Sequence, residues 1–105
     1  MVGRRSEPMF LHLGGDYVIK TKQIIAILDM ESTLKSKDSR NFINNFIEKG
    51  LIEDIFDNDE HEPRSLVLVE DFDGKDKKNK IIKIYRSPIS STTLQKRADF
   101  IENFL

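Results

Sequence analysis

The sequence predicts an α+β fold, a small single domain of short antiparallel strands and hairpins with one central helix and one C-terminal helix. Three observations carry that prediction. Short β-branched and aromatic runs (Phe10–Leu13, Tyr17–Ile19, Leu66–Val69, Ile81–Tyr85) are separated by turn residues, which is the pattern of strands and hairpins. Between them Phe42, Ile43, Phe46 and Ile47 recur at helical spacing, and after Pro88 so do Leu94, Ala98, Ile101 and Leu105. The chain has 105 residues, enough for one modest core but not for a core with a large ligand chamber.

Residues 1–8 show no periodicity and are expected to be a flexible leader, with Met9 the start of the folded domain, 9–105. Gly14-Gly15-Asp16 separates the first two strands and predicts a tight hairpin. The apolar run Ile24–Leu28 fits either a buried strand or a helix by periodicity; its shortness and isoleucine content favour a strand. Met30 to Lys37 reads as a polar connection. A helix is expected to begin within Ser36–Ser39 and to end at Gly50, a residue suited to the left-handed conformation that closes helices. Leu51-Ile52 and Ile55-Phe56 read as a short extended piece, and 57–63 (DNDEHEP) as an acidic surface loop. The strands Leu66–Val69 and Ile81–Tyr85 form a hairpin with a charged tip, 71–79, bent at Gly74. Pro88 ends the second strand, Ser90 or Ser91 caps the last helix, and Ile89 is placed to pack back on it.

Composition narrows the function. The chain is 38% hydrophobic and 33% charged, too apolar for a disordered polymer, and no apolar run reaches the length of a membrane span. No secretory signal pattern is visible, and with no cysteine there are no disulfides, thiolate metal sites or cysteine nucleophiles. A cytoplasmic location fits this composition. Asp57-x-Asp59 begins like a calcium loop but lacks the glycine and the distal glutamate, and Asp71-x-Asp73-Gly74-x-Asp76 is too short. His12 and His61 are not at metal spacing. The Ser90–Thr93 run has neither a nucleophile elbow nor a nearby histidine, so capping accounts for it better than catalysis. No cofactor, metal, small-molecule substrate or enzyme activity is expected.

Net charge is −1, yet it is unevenly spread: 31–63 carries −5 and 64–105 carries +3. Such a division can present a cationic face to phosphate. The candidate DNA contacts are Arg64 before the central strand, Lys75, Lys77 and Lys78 on the hairpin tip, Arg86 at the strand end, and Lys96 and Arg97 on the last helix. Lysines on a hairpin tip also serve simply to keep an edge soluble.

Met9–Val18, Ile24–Ile27, Arg64–Val69 and, above all, the Tyr85–Arg97 block (YRSPISSTTLQKR) together resemble the RemA/RemB-like family of small bacterial regulators, on the side of the extracellular matrix regulator RemB (YaaB) type. The resemblance runs from about Met9 to Phe104. It implies a regulator of biofilm-matrix genes that works as a homo-oligomer on double-stranded DNA, as the RemA branch does. It equally admits an interaction or scaffold protein that modulates a RemA-type paralogue without binding DNA. RemA-type proteins place an arginine pair in the loop before the central strand. That pair aligns with His61-Glu62 here, in an acidic loop, and Arg64 is the nearest remaining cation. The 71–79 tip is also longer than in the RemA type.

Overall fold

The computed structural model describes residues 9–56, 62–73 and 76–98, without the side chains of 72–78. Ten elements appear in that span. Strands β1 (Phe10–Gly14) and β2 (Tyr17–Lys20) form a separate antiparallel pair. A 3-10 turn, Thr21–Gln23, leads into β3 (Ile24–Asp29). Helices α1 (Met30–Leu34) and α2 (Lys37–Glu48) follow, then β4 (Ile52–Asp54), β5 (Ser65–Asp73), β6 (Asp76–Ser87) and α3 (Ser91–Arg97).

The predicted α+β class is what the structure shows. The expected hairpins are β1–β2 and β5–β6, the central helix is α2 and the last helix α3. The main sheet has the order β3-β5-β6-β4. β3 and β5, and β5 and β6, are antiparallel, but β4 runs parallel to β6. That direction was not expected from the sequence, which marks an extended piece at Leu51–Phe56 but not its partner. β3 and β4 therefore run the same way at opposite edges of the sheet, and the α1–α2 segment is the crossover that carries the chain from one to the other. Four strands span roughly 14 Å and a twelve-residue helix about 18 Å, so α2 is long enough to cross the sheet.

The 30–37 connection also contains more order than its polarity suggests. The Asp29 carboxylate accepts from the Ser32 N–H at 2.9 Å and nucleates α1. After a short break, Ser36 caps α2 by accepting from the Ser39 N–H, and Gly50 closes it at φ +71°. Sequence had put Phe42, Ile43, Phe46 and Ile47 on one face of α2. Only Ile43 is buried; Phe46 is half-buried, and Phe42 and Ile47 flank the contact at 46% and 47% exposure.

Alternation along the strands splits the core in two. On one face Val67, Val69 and Tyr85 pack with Leu11, Leu13 and Ile19 of the β1–β2 hairpin and with Leu94 and Ala98 of the C-terminal region. On the other, Leu66 and Ile84 pack under Ile43 of α2. The hairpin turn needs glycine: Gly14 and Gly15 have φ of +120° and +52°, and a Cβ on Gly15 would strike the Phe56 carbonyl oxygen. β5 and β6 extend further toward the tip than expected, so part of the 71–79 segment is strand. The leader 1–8, the acidic residues 57–61 with His61, the Gly74-Lys75 bend and everything after Ala98, including Phe100, Ile101, Phe104 and Leu105, lie outside the described residues.

Candidate nucleic-acid interface

Arg64 is fixed by its backbone at a corner where three elements meet. Its N–H donates to the Ser87 carbonyl at 2.7 Å, and its carbonyl accepts from the Met30 N–H at 3.0 Å. The corner therefore joins the end of β3, the start of β5 and the end of β6, while the Arg64 side chain is exposed. Asp29 lies within its electrostatic reach. The Ser32 backbone N–H first, then the Ser32 side chain, and more weakly Lys35 and Arg64, hold the Asp29 carboxyl below its ordinary 3.8. Lys35 is thus a second cation within electrostatic reach of Asp29, 29 positions from Arg64 in sequence.

The serines of the Tyr85–Arg97 block build this corner. Ser87 is fully buried; its hydroxyl donates to the Leu13 carbonyl at 2.6 Å and accepts from the Ile89 N–H at 3.0 Å. Ser65, paired with Ser87 across β5–β6 and equally buried, donates to the Ile89 carbonyl at 2.8 Å. Ser90 accepts from the Thr93 N–H at 3.2 Å and is the N-cap of α3. Ile89 and Leu94 share the larger apolar cluster, as a staple across that cap requires. These side chains are structural pins that set where α3 starts.

α3 then runs along β3, where the Gln95 side-chain amide donates to the Ile27 carbonyl at 3.3 Å. Lys96 and Arg97 are exposed in its last turn, about 9 Å along the helix axis from its start. Arg86 has a different setting. It forms a bidentate pair with Asp54, directly opposite it in the parallel β4–β6 register, with its Nε on Oδ1 and its Nη2 2.9 Å from Oδ2. Both side chains are about two-thirds covered. Arg86 therefore clamps the short edge strand, its charge matched by a carboxylate.

The tip lies at the other end of the ribbon. From Ser65 to Asp73, β5 extends roughly 27 Å, which separates Asp73 from the Arg64 corner. Lys77 and Lys78 belong to the β6 backbone; their side chains, and Lys75 altogether, lie outside the described residues. Farther down the ribbon Lys80 pairs with Glu70 at 3.4 Å. Lys83 stands 3.9 Å from Glu53 and 5.5 Å from the centre of the Tyr85 ring.

That last group forms a polar and aromatic box missed in the sequence. The Tyr17 hydroxyl donates to the Glu53 carboxylate at 2.6 Å, and the Tyr17 and Tyr85 rings are 5.1 Å apart. Burial first, and then the bond to Glu53, push the Tyr17 phenol well above its ordinary 10.0. The box ties β2 to β4 and β6 and borders a cleft of about 440 Å³ lined by Phe10, Val18, Lys20, Val69 and the two tyrosines. No helix among the described residues is long and apolar enough to cross a membrane.

The fold and its exposed side chains thus define a small α+β protein with cations at a corner of the sheet and at a helix end. No family profile matches the chain. It is similar to extracellular matrix regulatory protein B of Bacillus subtilis (strain 168), with 29% identity over 93 residues that cover 89% of this chain and 94% of that protein. The RemB-type resemblance carried by the Met9–Val18 and Tyr85–Arg97 blocks therefore extends over nearly the whole chain.

Proposed function

We propose that this protein is a non-catalytic regulator of extracellular-matrix gene expression that associates with double-stranded DNA as a homo-oligomer. The observation that carries the reading is the end-to-end likeness to a protein named as an extracellular matrix regulator. The exposed cations support its DNA component. Arg64 at the three-element corner and Lys96 and Arg97 on α3 are the direct phosphate contacts in this account. Arg86 acts through Asp54 as a positioning residue, and Lys75, Lys77 and Lys78 contribute from the tip. Contacts of this kind give binding that weakens steeply with salt. One small domain offers few of them, so an oligomer is needed for useful affinity.

The second reading, an interaction protein that modulates a RemA-type paralogue, is favoured by two observations: Asp54 neutralises Arg86, and 57–63 is acidic where RemA-type proteins carry arginines. A mobility-shift titration with promoter DNA at low and moderate salt separates the two. DNA association predicts a shift at low salt that Arg64→Glu or a Lys96→Glu/Arg97→Glu double variant weakens. No shift at low salt, together with co-elution with the paralogue, selects the second reading.

A further inference from the structure

We propose that two copies of this chain pair through antiparallel α2 helices, using the stripe Asp38, Phe42, Asn45 and Lys49. This gives the homo-oligomer reading a contact face, and it rests on that reading. The four residues follow at i, i+4, i+7 and i+11 and so lie in one line along the helix, away from the buried Ile43. All four are exposed. Phe42 leaves 46% of its surface in solvent while its ring packs, tilted by 46°, on the half-buried Phe46 with centroids 4.8 Å apart.

The stripe is complementary to itself in one orientation. An antiparallel α2 pair brings Asp38 of each copy opposite Lys49 of the other and Phe42 opposite Asn45, next to Phe46. The two helix dipoles then also oppose each other. A parallel pair would instead set like charges together at both ends. The dipole of a single helix accounts for an acid near its start and a base near its end. It gives no reason for an exposed phenylalanine between them, whereas the second copy covers it. The contact is short, about 18 Å of helix, well below the roughly 800 Å² per partner of a standard stable interface. Pairing is therefore concentration-dependent and sensitive to salt at its rim.

Self-association of the full chain, measured by sedimentation velocity over a concentration series at low salt, tests this. Asp38→Lys alone and Lys49→Glu alone each weaken pairing by about tenfold, because both ends of the pair turn repulsive. An equimolar mixture of the two single variants restores wild-type association as a heterodimer, and so does the double variant Asp38→Lys/Lys49→Glu. That rescue is specific to the antiparallel register, and a general loss of stability does not produce it. Wild-type association that none of the variants alters overturns the α2 face and leaves the homo-oligomer reading standing. A wild-type chain that stays monomeric at its highest soluble concentration overturns both.

Discussion

Ser87 shows how much structural demand falls on single polar residues in a core this small. Its hydroxyl links the end of β1, through Leu13, to the turn into α3, through Ile89. Ser87→Ala leaves a buried carbonyl and a part-buried N–H without that partner, and we expect a loss of about 1–3 kcal/mol in urea unfolding. Tyr17 works in the same way between β2 and β4, but its signature is in pH. The folded protein raises the phenol above its ordinary 10.0, so the stabilisation is complete below that pH and is lost as pH rises through the raised value. In an absorbance titration of the native protein, one tyrosine step comes late, and Tyr17→Phe removes it. Neither role was legible in the sequence. Tyr17 was read there as a strand residue, and the Leu13 carbonyl that Ser87 holds and the Glu53 carboxylate that Tyr17 holds lie 74 and 36 positions away.

At the scale of elements, local chemistry was readable and long-range pairing was not. Gly14-Gly15 specified a hairpin because the left-handed φ values leave glycine almost alone in fitting there. Ser36 and Gly50 marked the ends of α2 for similarly local reasons. Three features were hidden: the parallel direction of β4, the helix α1, and the narrow burial of α2, whose expected apolar face buries only Ile43. β4 takes its direction from register with Ile84–Arg86, set by the crossover and the Arg86–Asp54 pair, and no pattern within three residues encodes that. α1 is short and polar, and its nucleus is a single cap. Asp29 titrates lower in the folded state than unfolded, so its contribution is present above 3.8 and lost as pH falls through the depressed value. Asp29→Asn keeps an N-cap acceptor without the charge. We expect thermal melts of the variant to lack the part of the wild-type acid sensitivity that belongs to this carboxylate.

Across the whole molecule, the uneven charge of the sequence resolves into separate places. The cations named from the sequence were seven, and the fold sorts them by distance and by partner. Arg64 stands at the three-element corner, Lys96 and Arg97 mark the end of α3, Arg86 is matched by Asp54, and β5 and β6 run far from that corner toward the tip. Sequence identified the cationic residues because charge is a local property; which of them have a carboxylate opposite depends on strand register and became visible only in three dimensions. One chain offers few of these contacts, so several copies are needed to bring equivalent corners onto one duplex.

The salt dependence of binding to duplex DNA tests that claim most directly. Association is expected at low salt, with a linear fall of log K with log salt at about 0.9 per phosphate contact, and removing Arg64, Lys96 or Arg97 makes the slope shallower by about 0.9 for each copy in contact with the duplex. A self-associated protein that shows no binding to duplex DNA at low salt would contradict it.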